Sequence, residues 1–599
     1  MLAINIEDVI NVLNSCKSYL IALGVILALV VVITIAVMKL PKPKKKFIRS
    51  QSWIAFLLAV VVIVNMICWG PMSSMISLAT EKNDIQKETS DAATALCEQI
   101  ADEGIVLLKN ENGRLPLEEG TKLNVFGWAS TNPVYGGTGS GGLSDAYPTV
   151  SLLEGLENAG FEVNGELVDF YKNFRETRPT VGMWGQDWTI PEPTIEEYDE
   201  AGIFESAKEY SDTAVVVISR SGGEGADLPT SLDPEVEDTF EAGDAFGASG
   251  LRISDQKDDL DASKHFLELT NREQAMLDRV AADYEDIIVV VNAANAMELG
   301  FVDEYEQISS VLWCPGTGQS GFNSLGSILK GETNPSAKTS DTFVRDLTKT
   351  PTYNNFGFFA YDNMDEFEVD GFVPNFVNYT DGIYVGYRFY ETAAEEGLIN
   401  YEEMVQYPFG YGLSYTTFEQ KMGELEVKDG TISVDVTVTN TGDAAGKDVV
   451  EIYYNPPYTN GGIEKASVNL IGFEKTEVLE PGECETVTVT FAEEDMASYD
   501  DINAKAYVLE AGDYEISLRT DSHTVVDTKT HTVDETITYS GENGRSTDET
   551  TATNQLDFAN GDVTYLSRAN GFANYADATA APTNFTMSEE DKATFMNNS

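Results

Sequence analysis

The sequence predicts an α/β domain with a mostly parallel sheet covered on both faces. An all-β sandwich follows it, and a two-helix transmembrane hairpin precedes it. Three observations carry this reading. Continuous apolar runs such as Ala214-Val215-Val216-Val217 and Ile287-Ile288-Val289-Val290-Val291 alternate with helical patterns, as strands buried on both faces do. After about residue 420 the period drops to two, with Ile432, Val434, Val436 and Val438 alternating with polar residues, the pattern of half-buried antiparallel strands. Near the N-terminus, Tyr19 to Met38 is an uncharged apolar run long enough to span a bilayer.

The hairpin occupies residues 1–75. A second, shorter apolar run extends from Trp53 to Trp69 and is broken only by Asn65. Between the two lies a basic loop, Lys39 to Arg49, which the positive-inside rule assigns to the cytoplasm. Both ends of the hairpin then face outward, and the bulk of the chain is expected to be extracytoplasmic at the cell membrane. Charge divides in the same place. Through Lys82 there are eight basic and three acidic residues, and the remainder holds 30 and 96. A cleaved signal peptide is the rival, but two apolar segments around a basic loop fit it poorly.

The α/β region is assigned to residues 83–420. Asp84 to Ala101 reads as an amphipathic helix with Ala92, Leu96 and Ile100 on its apolar face and Thr89 or Ser90 as cap. Leu123-Asn124-Val125-Phe126 is a strand and Ser151 to Ala159 a helix. Phe204 to Tyr210 is helical, and Ala214 to Ser219 is the next strand. Asn271 to Tyr284 is a helix capped by Thr270. Ile287 to Val291 and Ile308 to Trp313 are strands, and Gly321 to Lys330 is a helix.

The sandwich is assigned to residues 421–535 and has immunoglobulin or fibronectin type III size. Val487, Val489 and Phe491 alternate, as do Tyr514, Ile516 and Leu518, with turns at Asn440-Thr441-Gly442-Asp443 and Pro481-Gly482. Residues 536–599 begin with a polar Gly-, Ser- and Thr-rich stretch from Thr536 to Thr553, which reads as a linker.

Composition narrows the function classes. The 599 residues carry 38 basic and 99 acidic side chains, a net charge of −61. That charge argues against nucleic acid, whose phosphates need a basic surface. The five cysteines (Cys16, Cys68, Cys97, Cys314 and Cys484) form no CxxC pair, so neither a disulfide framework nor a zinc site is expected. Only His265, His523 and His531 are present, which disfavours Ser-His-Asp chemistry or a His-rich metal site. No cofactor is expected.

The strongest chemical signal is Ile218-Ser219-Arg220-Ser221-Gly222-Gly223-Glu224-Gly225-Ala226-Asp227. A buried strand ends there in a glycine-rich loop, the place where open α/β sheets bind ligands. Glu224 has no bulky neighbour, as a catalytic acid requires; the other reading is a solvated turn residue. Arg220 and Asp227 in the same segment are candidate substrate contacts. So are Trp184 and Trp188, in a Pro- and Trp-containing insertion around Gln186-Asp187-Trp188 that otherwise reads as a packed surface loop. A second glycine-rich segment, Tyr135 to Gly142, lacks the Lys-Ser/Thr of a P-loop and is expected to be a flexible loop at a strand end that lines a pocket or an interface. The aromatic segments Asp381 to Tyr390 and Tyr407 to Phe418 read as a connector packed between domains, and the sequon at Asn378-Tyr379-Thr380 as chance.

Together Glu103 to Leu117, Gly127 to Ser144, Ser219 to Asp227, Asp381 to Tyr390 and Tyr407 to Phe418 resemble glycoside hydrolase family 3. The resemblance spans roughly residues 88 to 535, with the motifs in the family's order. It implies a three-layer α/β/α sandwich domain, a fibronectin III-like domain and a β-glucosidase-like activity. It also implies exo-acting, retaining removal of terminal β-linked sugars from an oligosaccharide or β-glycoside. Glu224 matches the family's general acid/base. Many members carry Arg after the Asp, where this chain has Leu228. The family's nucleophile is an Asp on a TIM barrel, which in some bacterial members follows the fibronectin III-like domain. Asp562 to Arg568 resembles the lead-in to that barrel. A barrel needs about 200 or more residues, so the expectation is that this chain supplies the acid/base and lacks the nucleophile domain, being either truncated before a barrel or completed by a separate TIM-barrel chain. The alternative is a catalytically inactive surface carbohydrate-binding or scaffold protein.

Overall fold

The computed structural model describes residues 16–73, 86–138, 141–143, 147–182, 185–224, 228–229, 231–233, 252–357, 359–363, 366, 375–548, 550 and 563–598. The chain divides into two compact units, Met1–Asp91 and Ala92–Ser599.

In the first unit, helices α1 (Lys17–Ala36) and α2 (Lys42–Trp69) are joined by a single 3₁₀ turn, Val37–Lys39. Arg49 Nη2 donates to the Thr34 carbonyl at 2.8 Å, fixing the antiparallel pair. Both helices are long and apolar enough to cross a membrane. The basic segment is not the loop expected from the sequence, because most of it forms the opening turns of α2. Pro43 lies in that first turn, where its missing N–H costs nothing, and Lys and Arg are good helix formers. Apolar character therefore marked only the later part of a longer helix.

Helix α3 (Lys87–Asp102) begins in the last residues of the first unit and continues into the second, where it is followed by a six-stranded sheet. Its strands are β1 (Val106–Asn110), β2 (Lys122–Phe126), β3 (Glu162–Val163), β4 (Ala214–Arg220), β5 (Ile287–Ala293) and β6 (Ile308–Trp313). The order is β1-β6-β5-β4-β2-β3, with β1 antiparallel to β6 and every other pair parallel. Alternate residues of β4 enter opposite cores. Ala214, Val216 and Ile218 pack with Phe204, Met276 and Val280, whereas Val215 and Val217 pack with Leu156, Leu325 and Ile328. This is the expected α/β sheet covered on both faces, with one antiparallel edge strand added.

Thr270 caps its helix as expected, whereas α3 begins at Lys87, so that Thr89 and Ser90 lie inside it rather than capping it. Ser151 caps α4 (Leu152–Asn158) through a box with Glu154, and Thr270 caps α7 (Asn271–Asp283) through one with Glu273. Between these lie α5 (Gly165–Phe174) and α6 (Ile203–Tyr210). Helix α8 (Phe322–Lys330) crosses α4 in close contact. A Cβ on Gly326 would stand 2.3 Å from the Gly155 carbonyl oxygen, so only glycine permits this approach. Helix α3 departs from expectation. Leu96 is 55% and Ile100 64% exposed. The helix docks through Ala101, Cys97 and Glu98 instead, with Asn323 Nδ2 donating to Glu98 at 2.7 Å.

The sandwich comprises β7 (Phe418–Lys428), β8 (Thr431–Asn440), β9 (Val449–Asn455), β10 (Asn469–Lys475), β11 (Cys484–Ala492), β12 (Gly512–Arg519) and β13 (Val525–Val533). The sheets are β7-β8-β11 and β10-β9-β12-β13. Ile432, Val434, Val436 and Val438 meet Ile516 and Leu518 between them. The aromatic connector packs as expected: Tyr387 stacks on Phe409 at 4.7 Å and meets Tyr453 edge-on at 6.1 Å. The predicted linker is corrected at its start, because Ile537–Tyr539 pairs with Ala506–Leu509. Its polar residues alternate with Ile537 and Tyr539, and that alternation suits a half-buried strand. Residues 551–562 lie outside the described residues. From 563 onward the chain docks on the connector, with Leu566, Phe572 and Ala578 joining Tyr384 and Phe389 in one core.

Candidate active site

Strand β4 ends at Arg220 and β2 at Phe126, so their loops emerge side by side at one sheet edge. The loop after β2 is held from below by Asn292 at the end of β5. Asn292 Oδ1 accepts from the Val134 N–H at 2.6 Å, and its Nδ2 donates to Val134 O at 2.9 Å and Cys314 O at 3.1 Å. Tyr135 O then accepts from Gly318 N at 2.7 Å, and the Tyr135 ring packs edge-on against Phe322 at 5.3 Å. Val134 and Tyr135 are thereby pinned where a flexible loop was expected, and Tyr135 to Thr138 line a cleft, as a loop at a strand end was expected to.

Glu224 is exposed, two residues past the Ser221-Gly222 wall of a cleft of about 290 Å³. Thr138 Oγ1 donates to the Glu224 carbonyl oxygen at 2.8 Å. Gly223, at φ +149°, lies so close that a Cβ would stand 2.6 Å from Thr138 N. The cleft is lined by Tyr135, Thr138, Arg178, Thr180 and Ser221 among others.

Arg178 is a residue that sequence reasoning missed. Its Nε donates to Asn132 O at 2.8 Å, Nη2 to the same carbonyl and to Ser219 Oγ at 3.1 Å, and Nη1 to Ser221 Oγ at 3.3 Å. Its guanidinium stacks over Trp128 at 5.4 Å. Burial, and then the nearby Arg220 guanidinium, pull its pKa down to about 10. The available signal was an arginine directly before Pro179 in a segment rich in aromatics and glycine.

The other expected contacts sort differently. Arg220 is 1% exposed. Its Nη1 and Nη2 donate to the two Glu273 oxygens at 2.9 and 2.8 Å, and Nε donates to Phe266 O at 2.7 Å. Glu273 also accepts from the Thr270 N–H at 2.9 Å, so the strand end and the start of α7 share one carboxylate. Arg220 is therefore committed inside the fold rather than facing a ligand. Trp188, 2% exposed, packs edge-on against Phe266 at 5.2 Å and is likewise internal. Asp187 accepts from Thr189 Oγ1 at 2.6 Å and sits near Arg175 and Arg252, as a packed surface loop would have it. Trp184 and Asp227 lie outside the described residues.

Beneath the β2 loop, Trp128 N donates to Glu192 Oε2 at 2.9 Å, and Tyr198 OH donates to Oε1. Burial outweighs these donors and raises the Glu192 carboxyl to about 8. His265, Glu268 and Glu298 form a cluster with metal-ligand atom types. However, His265 Nδ1 accepts from the Leu267 N–H at 3.2 Å, and Nε2 faces Glu298 at 3.0 Å. A metal-bound imidazole donates from its second nitrogen. This ring instead accepts there, so the cluster suits a hydrogen-bonded pin better than an ion.

A family model for the glycosyl hydrolase family 3 C-terminal domain matches residues 105–415. The chain belongs to glycosyl hydrolase family 3. A fibronectin type III-like domain model matches residues 448–522. "Beta-glucosidase A" of Butyrivibrio fibrisolvens is 34% identical over 474 residues, covering 76% of this chain and 52% of that protein. A "Beta-glucosidase" of Ruminococcus albus is 32% identical over 445 residues, covering 73% and 40%. Among solved structures, a beta-glucosidase from Paenibacillus barengoltzii aligns with a TM-score of 0.60 and 28% identity, covering 74% of this chain and 44% of that one. Beta-glucosidase 3B from Thermotoga neapolitana, in complex with alpha-D-glucose, aligns with a TM-score of 0.58 and 28% identity, covering 75% and 55%. The chain spans about half the length of the curated family 3 relatives it matches.

Proposed function

We propose that this chain supplies the acid/base half of a membrane-anchored, exo-acting, β-glucosidase-like glycosidase. The observation that carries the reading is Glu224, placed beside the cleft where two sheet-edge loops meet in a family 3 α/β domain. Retaining hydrolysis needs two carboxyl groups about 5–5.5 Å apart. One attacks the anomeric carbon while the other protonates the leaving oxygen and then activates water. Glu224 takes the second role, and a TIM-barrel carboxylate outside the described domains takes the first. Helices α1 and α2 serve as a two-span anchor, with residues after about 75 on the extracytoplasmic side.

The test is turnover of an aryl β-glucoside by the chain in membranes of its source. Glu224→Gln should lower turnover about 10²–10⁴-fold. The loss should be smaller for a dinitrophenyl leaving group, which needs no proton, and azide should restore turnover by replacing water. Unchanged turnover in Glu224→Gln overturns the assignment. Sugar binding without hydrolysis of any aryl β-glycoside favours the carbohydrate-binding reading instead.

A further inference from the structure

We propose that Arg178 makes this cleft a binding site for a glycoside carrying an anionic group, a carboxylate or a phosphate. The inference rests on the saccharide-binding reading above and narrows its substrate class.

The first observation is the chemistry of the wall. The described lining offers hydroxyls from Tyr135, Thr138, Thr180 and Ser221, backbone from glycines, and one charged side chain, Arg178. No carboxylate belongs to that lining, in a chain with 99 acidic residues. At about 290 Å³ the cleft is at the small end of ligand pockets, which run from about 300 to 1,000 Å³, a size for a sugar ring rather than an extended chain.

The second observation is how Arg178 is held. Every hydrogen-bond partner it has among the described residues is a neutral oxygen: Asn132 O, Ser219 Oγ and Ser221 Oγ. Among the described residues no carboxylate lies within ion-pair distance of it. Arg175, Arg220 and Arg272 of the same domain each meet one. A guanidinium has five N–H groups. Nε and both Nη2 hydrogens are spent on Asn132 and Ser219, and one Nη1 hydrogen reaches Ser221 at the long distance of 3.3 Å. Among the described residues that leaves one N–H uncommitted, on the same Nη1 that reaches Ser221, and both Arg178 and Ser221 line the cleft.

The third observation is electrostatic. A partly buried cation with no ion-pair partner among the described residues is costly; Arg220 nearby adds to that cost, and its partner Glu273 offsets part of it. An incoming anion relieves it through a charge-assisted hydrogen bond. The stack on Trp128 and the grip on Asn132 hold the guanidinium in place before the ligand arrives, so little ordering cost remains on binding.

The experiment is titration calorimetry of the full chain in detergent micelles with three probes: cellobiose, cellobiouronic acid with its glucuronyl unit at the non-reducing end, and cellobiose 6′-phosphate. At least one acidic probe should bind ten times or more tighter than cellobiose. Which one does so separates a carboxylate from a phosphate source. The ratio should shrink as salt rises. Arg178→Gln should bring the acidic-to-neutral ratio close to one, and Arg178→Lys should keep part of it. Equal binding of neutral and acidic probes by the unaltered chain overturns the proposal. So does absence of acidic-probe binding, or a preference that survives in Arg178→Gln. An Arg178→Gln chain that loses all three probes in proportion makes Arg178 a positioning residue only, which also overturns it. No turnover enters this test, so its failure is distinct from failure of Glu224 as the acid/base.

Discussion

Thr138 donates its hydroxyl proton to the Glu224 carbonyl oxygen at 2.8 Å, joining the loop that leaves β2 to the loop that leaves β4. The contact is possible because residue 223 has no side chain. At φ +149° any Cβ there would press on Thr138 N at 2.6 Å and on Thr138 Oγ1 at 2.8 Å. Gly223→Ala is therefore expected to push the two loops apart. It should cost about 1–3 kcal/mol, the range for a residue forced into a sparsely populated conformation, read by urea denaturation. It should also lower turnover more than binding, because the position of Glu224 is what changes. A variant with unaltered stability and turnover would mean that the loops are not coupled here.

The Arg220–Glu273 pair is fully enclosed, with side-chain exposures of 0% and 5%. Removing one partner strands the other charge. Arg220→Met should therefore destabilise by about 3–5 kcal/mol, measured by chemical denaturation. The double replacement Arg220→Met with Glu273→Leu should be milder than the sum of the single ones, since no charge is left unpaired. A strictly additive result would count against the shared carboxylate.

Much of this architecture was readable from the chain. The buried runs of β4, β5 and β6 fix a covered parallel sheet, and Ser151 and Thr270 mark helix starts because each has a glutamate three residues on. Helix α3 shows where pattern reading stops. Its periodicity selects Leu96 and Ile100, yet those residues face solvent, while Ala101 and Glu98 meet the start of α8 at Gly321 and Ser324, and Cys97 meets Thr317 just before it. A helix that must come within 2.7 Å of a Cβ at Gly321 needs small residues on its buried side, and hydrophobicity does not report smallness. Arg178 was missed for a similar reason. It joins Asn132, Ser219 and Ser221, residues distant in sequence that only the sheet order brings together. Arg220 was misplaced because adjacency to Glu224 in sequence ignores that β4 still has a buried register at that residue.

Helix α3 yields its own test. Ile100→Gln should change stability by no more than about 0.5 kcal/mol, as exposed substitutions do. Ala101→Leu should cost about 1–3 kcal/mol by overpacking. Thermal or chemical denaturation decides, and the reverse ranking would restore the periodic face as the docking face.

Stability should also respond to pH through His523. Its Nδ1 lies 3.0 Å from Glu391 Oε2, and its ring stacks on Tyr401 at 3.7 Å. The hydrogen bond to Glu391 raises its pKa above 6.5; burial and Arg519 oppose the rise, while Asp521 supports it. A histidine with a raised folded pKa stabilises fully below its unfolded pKa and loses that contribution as pH climbs through the folded value. The unaltered chain should therefore outlast His523→Gln by more at pH about 5.5 than at about 9. The expected loss is at the seam between the connector helix Tyr387–Glu395, which carries Glu391, and the β12–β13 turn. An advantage that grew with pH would mean that the ring is neutral in the folded chain.

The proposed anchor topology can be read through one thiol. Cys484 at the start of β11 is exposed and free, whereas Cys16 and Cys314 are buried and Cys68 and Cys97 half-buried. In that proposed topology the basic start of α2 is held inside by its lysines, both ends of the hairpin face outward, and the sandwich goes with the second of them. A membrane-impermeant maleimide should then label intact cells that carry the chain, and Cys484→Ser should remove most of the label. Thiol reactivity requires exposure as well as side, so labelling after lysis serves as the control that Cys484 is accessible in the folded chain. Labelling that appears only after lysis would put the sandwich, and with it Glu224, on the cytoplasmic side. A glycosidase acting on external sugars would then have no access to them.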